Sequence, residues 1–315
     1  MSKIIEDIKQ EVKKVIVGQD ELIDALLIGL IANGHILVEG VPGLAKTTAI
    51  NALTKAIGLN FNRVQFTPDL LPSDITGTEV YNPKDASFYV KKGPIFTNLL
   101  LADEINRAPA KVQAALLEVM QEKQVTIGNE SFKLDLPFLV MATQNPVEQE
   151  GAYRLPEAQL DRFMLKVTVG YNTIEQELEI VNRVAKNGFK SVQSVATKED
   201  LKNLENEFKQ VHVDEELQKY MLKIIFATRE PKEYNLEDIE EYLEFGASPR
   251  ASIDLYKASC AKALINGKDY VTPLDIAEVV YSVLRHRIIL SYKAEAKGIN
   301  SDYIIKKILE TIKAP

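Results

Sequence analysis

Cysteine and histidine are scarce in this 315-residue chain. The single cysteine, Cys260, excludes an internal disulfide, and the three histidines are scattered at 35, 212 and 286. A Cys/His zinc site is therefore not expected. We expect Cys260 to be a small buried apolar side chain and His35 to serve packing rather than chemistry.

Long apolar runs and an excess of positive charge are also missing. The run from Ala25 to Ala32 is cut off by Asp24 and Asn33, well short of the ~18 apolar residues that a membrane span needs. Residues 1–14 alternate charged and apolar side chains, which is unlike a secretory signal. The net charge of −7 and the pI near 5.3 argue against a general nucleic-acid-binding surface. These features predict a cytoplasmic protein without a membrane span.

Apolar runs alternate with helical patterns in the first half of the chain, which is typical of the α/β class. The predicted strands are Ile36–Val38, Phe61–Gln65, Leu99–Ala102, Pro137–Ala142 and Leu165–Val169. Because helical patterns separate these runs, we expect one doubly wound, parallel, five-stranded sheet. The chain length is compatible with about two domains.

Helical periodicity dominates after residue 170. The predicted helices are Thr173–Asn187, Lys198–Gln210, Asp214–Thr228, Ser248–Asn266, Pro273–His286 and Asp302–Ile312. We therefore predict an α/β core over residues 1–170 and an all-α lid over residues 171–315. Two hairpins interrupt the predicted core, one within an insert at about 67–93 and one at about 124–134.

Residues 40–47 read Gly-Val-Pro-Gly-Leu-Ala-Lys-Thr and lie between an apolar strand and a helical stretch. This setting indicates a phosphate-binding loop, although Ala45 stands where the general pattern has a second glycine. Backbone N–H groups and the helix N-terminus would surround the phosphates of a nucleoside triphosphate, Lys46 would reach the β- and γ-phosphates, and Thr47 would bind Mg²⁺. The predicted binding residues are Gly40, Pro42, Gly43, Leu44, Ala45, Lys46, Thr47 and Thr48.

Two adjacent carboxylates, Asp103 and Glu104, follow the apolar run Leu99–Ala102. In parallel sheets ligands bind beyond the carboxyl ends of the strands, so these acids are expected beside the phosphate loop. Asp103 would join Thr47 in holding Mg²⁺, and Glu104 would polarise the attacking water. The adjacent acids favour hydrolysis over phosphoryl transfer to a second substrate.

Four ordered motifs carry a family resemblance. They are GHILVEGVPGLAKT (34–47), GPIFTNLLLADEINRAP (93–109), ATQNP (142–146) and LPEAQLDRF (155–163). Together they resemble the MoxR family of AAA+ ATPases over essentially the whole chain, and Ala45 is usual in that family. The two hairpins look like the helix-2 insert and the hairpin that mark this branch, which includes magnesium-chelatase ATPase subunits and MCM helicases.

The resemblance implies further site residues. Asn145 looks like the polar sensor near the γ-phosphate, Arg162 matches an arginine finger offered to a neighbouring subunit, and Arg250 is similar to a lid arginine that contacts the γ-phosphate of its own chain. The segment Val17, Gly18 and Gln19 resembles one that packs on adenine. Purely structural interpretations stay open: Asn145 could form a turn before proline, Arg162 could pair with Asp161, and Arg250 could be a surface cation. Arg107 or Arg154 could also act in place of Arg162 on the neighbouring subunit.

The resemblance also implies a function. MoxR relatives are chaperone-like ATPases that form rings, so we expect a homo-oligomer, a hexamer, acting on partner proteins, some with von Willebrand factor A domains. One alternative is a nucleic-acid motor of the MCM type, which the acidic balance disfavours. Another is a slow binding module that ATP switches.

Overall fold

The computed structural model describes residues 3–41, 43–145, 153–188 and 190–315. Its strands, numbered along the chain, are β1 (Ile36–Glu39), β2 (Phe61–Gln65), β3 (Gly77–Asn82), β4 (Ser87–Lys92), β5 (Leu99–Asp103), β6 (Gln124–Ile127), β7 (Glu130–Lys133), β8 (Leu139–Gln144), β9 (Leu165–Thr168), β10 (Leu243–Phe245) and β11 (Ile289–Leu290).

The helices alternate with these strands and then dominate the C-terminal half. They are α1 (Lys3–Lys13), α2 (Asp20–Ala32), α3 (Lys46–Ile57), α4 (Pro72–Thr76), α5 (Ala110–Glu122), α6 (Glu157–Leu160), α7 (Ile174–Asn187), α8 (Lys198–Gln210), α9 (Glu215–Ala227), α10 (Glu237–Glu240), α11 (Pro249–Ile265), α12 (Pro273–Leu284), α13 (Tyr292–Ala296) and α14 (Ser301–Thr311). None of the helices in the described ranges is long and apolar enough to cross a bilayer.

The central sheet has the strand order β2-β5-β8-β1-β9, and every pair in it is parallel. Side chains alternate between its faces, as strand geometry requires. Ile36 and Val38 belong to one buried apolar cluster and Leu37 to another. Helices cover both faces, so the predicted doubly wound parallel sheet is confirmed.

The five predicted core strands are all present. The strand predicted from Pro137 begins at Leu139 instead and extends to Gln144. Proline lacks the N–H that a ladder needs, so pairing starts beyond it. Both predicted hairpins are also present, as the antiparallel pairs β3–β4 and β6–β7.

The lid is mainly helical, with one departure from the all-α prediction. Each of the six predicted helices lies within about two residues of its expected bounds. Between them, β10 and β11 form a short antiparallel pair. Strands of two or three residues are too short to show a period in sequence, which explains why they were not predicted.

The lid is fastened to the core through α2. Asp24 on α2 forms ion pairs with Lys9 on α1 (2.5 Å) and with Lys262 on α11 (2.6 Å). One apolar cluster runs without interruption from the sheet into the lid helices. The boundary at residue 170 therefore stays a prediction.

Candidate active site

The loop that follows β1 supplies a concave surface at the carboxyl edge of the sheet, the edge where its parallel strands end. Gly43 (φ +87°) and Ala45 (φ 56°) both adopt left-handed backbone conformations. A Cβ on Gly40 would lie 2.7 Å from the carbonyl oxygen of Val169, so only glycine fits there. The loop leads directly into the N-terminus of α3, where unpaired N–H groups favour anions. Pro42 lies outside the described residues.

Lys46, the first residue of α3, turns back across the loop. Its ammonium donates a 2.7 Å hydrogen bond to the carbonyl oxygen of Gly40. Partial burial lowers the pKa of Lys46, and the nearby carboxylates of Asp103 and Glu104 oppose that shift by favouring the charged form. The side chain is thus a cation held among the groups that an anionic ligand would meet.

Asp103, the last residue of β5, is held on both carboxylate oxygens. Oδ1 accepts a 2.6 Å hydrogen bond from the Thr143 hydroxyl on β8, which itself accepts the Glu104 N–H at 2.9 Å. Oδ2 accepts from Arg63 on β2, at 2.6 Å from Nη2 and 3.1 Å from Nε. Two neighbouring strands therefore orient this carboxylate, and Arg63 balances its charge.

Glu104 leaves the strand in a left-handed conformation, with φ 56°. One carboxylate oxygen accepts a 2.7 Å hydrogen bond from the Gln65 amide and lies 3.2 Å from Nε of Arg107. Non-glycine residues adopt this backbone region rarely and usually where the fold requires it. The conformation places Glu104 on the same cavity as Asp103.

These groups line one cavity of about 360 Å³. Its walls are Gly43, Leu44, Ala45, Lys46, Thr47, Thr48, Arg63, Gln65, Asp103, Glu104 and Asn145. Asn145, which follows β8, is buried there. The structure thus brings the predicted phosphate-loop residues, acids and sensor together.

Sequence reasoning missed Arg63, Gln65 and Thr143. The register Gln65↔Asp103 places the first two on the strand beside the acids. Arg63 and Gln65 alternate along β2 and therefore lie on the same face of the sheet. This pattern would have identified both residues if β2 had been known to be the neighbour of β5. Strand order is a tertiary property that the local sequence does not carry.

A second, mainly apolar cavity of about 280 Å³ adjoins the first turn of α3 through Thr47 and Thr48. Its walls include Val15 and Val192. The predicted adenine segment Val17–Gln19 does not line it. Gln19 donates instead to the Gly170 carbonyl and the Asn172 side chain, at 3.2 Å each.

Arg162 and Arg250 lie at the opposite, amino edge of the sheet. Arg162 lies just before β9 in the chain. Two residues later, the Met164 N–H donates to the carbonyl oxygen of His35, which immediately precedes β1, so this segment lies where the two strands begin. Arg250 points to the Asp161 carboxylate at 3.5 Å. The four residues of β1 separate this edge from the phosphate loop by about 13 Å. The expected contact of Arg250 with a nucleotide of its own chain does not fit this geometry.

A buried arginine joins the lid to this amino edge. Arg287, with 1% of its side chain exposed, pairs with Asp161 (2.8 Å) and Asp254 (2.5 Å). The Ser248 hydroxyl also donates to Asp161, at 2.9 and 3.0 Å. Asp161 is thus taken up by lid residues, and Arg162 has no ion-pair partner within the described ranges.

The other two candidate arginines are placed differently. Arg107 pairs with Glu104 and therefore stays at the carboxyl edge. Arg154 is exposed beside Tyr153, whose N–H donates to the carbonyl oxygen of Asn106. Of the three arginines, Arg162 lies at the amino edge beside the lid residues that hold Asp161.

The residues of the cavity fit a magnesium–nucleotide complex. Thr47 and Asp103 offer the hydroxyl and carboxylate oxygens that Mg²⁺ prefers, with Lys46 beside them for phosphate oxygens. No cluster of three or more His, Cys, Asp or Glu side chains within the described ranges suits a metal bound by protein alone. Mg²⁺ typically keeps few protein ligands and completes its shell with phosphates and water.

Comparison with known proteins gives consistent results. Residues 35–165 match the ATPase family associated with various cellular activities (AAA), and residues 236–308 match an AAA lid domain. The chain is 48% identical over 97% of its length to Chaperone MoxR1 of Mycobacterium tuberculosis, covering 81% of that protein. It is 43% identical to the uncharacterised protein YeaC of Bacillus subtilis, covering 97% of this chain and 93% of the relative. A crystal structure of a candidate ATPase from Cytophaga hutchinsonii superposes with a TM-score of 0.94 at 54% identity, covering 99% of this chain and 95% of that one.

Proposed function

Because this chain belongs to the MoxR family of AAA+ ATPases, we propose that it hydrolyses Mg²⁺-bound ATP within a ring of identical subunits, a hexamer, and that it couples hydrolysis to the remodelling of partner proteins. The observation that carries the proposal is the single cavity that joins the phosphate loop to Asp103 and Glu104. A loop alone would support binding, whereas an ordered carboxylate pair supports attack by water.

Each polar group of the cavity has a role in this proposal. Lys46 and the α3 N-terminus bind the phosphates, and Thr47 and Asp103 would hold Mg²⁺, which would supply further positive charge to the phosphate oxygens. Glu104 accepts the proton of the attacking water, and Gln65 holds the carboxylate in place through its 2.7 Å hydrogen bond. Asn145 orients the water or the γ-phosphate.

A second copy of the chain would complete the site. Arg162 and Arg250 lie at the edge of the sheet away from the chain's own cavity, so we propose that both act on the nucleotide of an adjacent subunit. An arginine supplied in trans adds ~10³- to 10⁵-fold in rate in related systems. Asp161, fixed by Arg287, holds the loop that presents Arg162.

Partner proteins are the proposed object of the work. The MoxR1 relative carries the name chaperone, and proteins with von Willebrand factor A domains are the proposed clients here. The β3–β4 hairpin exposes Tyr81, Phe88 and Tyr89, side chains typical of protein interfaces. Aromatic side chains also stack on single-stranded bases, so the nucleic-acid motor remains the second candidate.

The central test replaces Glu104 by glutamine. Glu104→Gln preserves the shape of the side chain and leaves Asp103 in place, but an amide cannot accept the proton from water. We expect phosphate release to fall by about 100-fold or more, while a fluorescent ATP analogue still binds with near wild-type affinity. Lys46→Ala should instead weaken binding of the analogue.

Glu118→Gln, an exposed carboxylate on α5, is the matched control and should hydrolyse ATP normally. Hydrolysis by Glu104→Gln at the wild-type rate would remove Glu104 as the base. A wild-type protein that binds ATP but barely hydrolyses it, with or without protein partners and DNA, would favour the switched binding module.

A further inference from the structure

Helix α7 carries an exposed apolar stripe. Ile174, Leu178 and Val181 are 83%, 61% and 59% exposed. Their spacing of four and three residues places them on one face of the helix. An amphipathic helix normally turns such a face toward a core, so an exposed one of this size indicates a surface that something covers.

The body of the protein does little to hold α7. None of the α7 side chains that the structure describes is buried. Arg183 donates to the carbonyl oxygens of Lys13 and Lys14, at 2.7 and 3.4 Å, and Gln176 lies against Gly18. Isolated helices of about 12–15 residues are marginal in water. The 14 residues of α7 therefore gain stability from any surface that covers the stripe.

A groove between α8 and α11 offers the complementary shape. This cavity of about 470 Å³ is mainly apolar and is lined by Phe208, Val211, Ile253, Tyr256 and Cys260. Ile253 is 56% exposed at its mouth. The groove is formed by later elements of the chain, whereas α7 directly follows β9, the last strand of the sheet.

The charges around the two surfaces are opposite. Lys257 and Lys209 lie at the groove, and Lys209 also pairs with Glu205 at 3.1 Å, so Lys257 is the main positive charge there. On the helical projection of α7, Glu175 and Glu177 lie on either side of the Ile174–Leu178–Val181 stripe. Opposite charges on matching rims steer association and set register more than they add affinity.

We propose that the α7 stripe of one copy of this chain seats in the α8–α11 groove of the next copy. The inference rests on the proposed ring ATPase and names the surfaces that would build it. Two different patches meeting head to tail generate a ring when the rotation closes.

This contact also accounts for the position of the arginines. The stripe begins at Ile174, shortly after β9 ends beside Glu39 at the carboxyl edge. Arg250 lies one turn before Ile253 on the same exposed side of α11. Seating α7 in the groove therefore brings Arg250 toward the edge where the partner copy holds its nucleotide.

The test compares three glutamate substitutions by sedimentation velocity with an ATP analogue present. Leu178→Glu and Ile253→Glu would each bury a charge in an apolar contact. We expect association to weaken by at least about 100-fold in both. Leu274→Glu is the matched control, since Leu274 on α12 has the same 61% exposure and should assemble as the wild type does.

Mixing the two defective variants distinguishes the proposed contact from others. Leu178→Glu retains an intact groove and Ile253→Glu an intact stripe, so an equimolar mixture should give a heterodimer that grows no further. Normal assembly by Ile253→Glu alongside monomeric Leu178→Glu would show that the stripe meets another surface and would overturn the inference.

Nucleotide binding separates this inference from the proposed function. All three variants should bind the fluorescent ATP analogue as the wild type does, because the substitutions lie outside the cavity. A wild type that stays monomeric while it hydrolyses ATP would overturn the stripe–groove contact and leave the ATPase. A wild type that assembles with the expected pattern but does not hydrolyse ATP would overturn the proposed ATPase and leave the stripe–groove contact.

Discussion

At the scale of single residues, Asp103 and Glu104 show how adjacent side chains acquire different roles. Asp103 ends a strand and is held by Thr143 and Arg63 on both sides. Glu104 has left the strand, and one of its carboxylate oxygens accepts from Gln65 and also lies 3.2 Å from Nε of Arg107. We propose the metal-ligand role for Asp103, whose two oxygens are both fixed, and the proton-accepting role for Glu104.

His35 is a second residue whose surroundings decide its state. Its Nδ1 accepts the Val140 N–H at 3.0 Å, and its Nε2 lies 3.0 Å from the carbonyl oxygen of Met120. The accepted hydrogen bond requires a neutral ring with the proton on Nε2, and burial lowers the pKa of His35 to about 4. The ring therefore joins β8 to the C-terminal turn of α5, which agrees with its predicted structural role.

We expect His35 to make folding sensitive to acid. Unfolding returns the His35 pKa to about 6.5, so the unfolded chain binds the proton more readily between pH 6.5 and 4. The stabilisation is complete above pH 6.5 and is lost as the pH falls toward 4, to a total of about 3 kcal/mol. Guanidinium titrations at pH 7 and pH 4.5 measure this difference in the free energy of unfolding.

Substitution separates His35 from other acid-sensitive groups. His35→Gln should be less stable at pH 7 but lose less stability on acidification. The remaining loss should come from His286, because burial lowers the pKa of that side chain as well. His212→Gln, at an exposed position, should follow the wild type. An unchanged pH dependence in His35→Gln would contradict this account.

At the scale of elements, the β3–β4 hairpin has a base that contacts neighbouring elements. Its Lys92 ammonium lies 4.8 Å from the Phe96 ring and 5.3 Å from the Phe132 ring. Its Glu79 carboxylate lies against Gly128 in the β6–β7 turn. Exposed aromatic residues lie on its two strands next to the turn at 82–87, so the structure combines a fixed base with an open contact surface.

Removing the tip should uncouple the ATPase from its partner. We expect deletion of residues 82–87 to leave basal ATPase activity within about twofold, because the anchors and the cavity are untouched, while stimulation by a protein partner is lost. The measurement is steady-state phosphate release with partner, with DNA and with neither. Strong, salt-sensitive stimulation by DNA that the deletion abolishes would instead favour the nucleic-acid motor.

At the scale of the whole molecule, the phosphate cavity lies at one edge of the sheet, and Arg162 and Arg250 lie at the opposite edge. The lid does not bring Arg250 back to the chain's own cavity, since α11 is held to α2 through Asp24 and Lys262 and to the amino edge through Asp161. Each subunit is therefore expected to provide a pocket at one edge and arginines at the other.

Complementation tests this division. Lys46→Ala and Arg250→Ala should each be inactive alone, but their equimolar mixture should regain activity at about one quarter of its interfaces, where an intact pocket meets an intact arginine. Lys46→Ala mixed with Arg162→Ala should behave alike. If Arg250 served its own chain, its mixture with Lys46→Ala would stay inactive while the Arg162→Ala mixture recovered.

The sequence by itself determined the features that depend on contiguous residues. The phosphate loop, the acid pair after β5, the two hairpins and the main lid helices follow from local backbone preferences and from hydrophobic periodicity. These signals act over a few residues, so they survive without knowledge of what packs against them.

The tertiary structure decided everything that depends on which strands and helices are neighbours. Arg63, Gln65 and Thr143 reach the acids because β2 and β8 flank β5. Arg250 lies away from its own cavity because α11 packs on α2. Strand order, register and helix packing arise from burial of apolar surface between segments far apart in the chain, and a local pattern does not encode the identity of that distant partner.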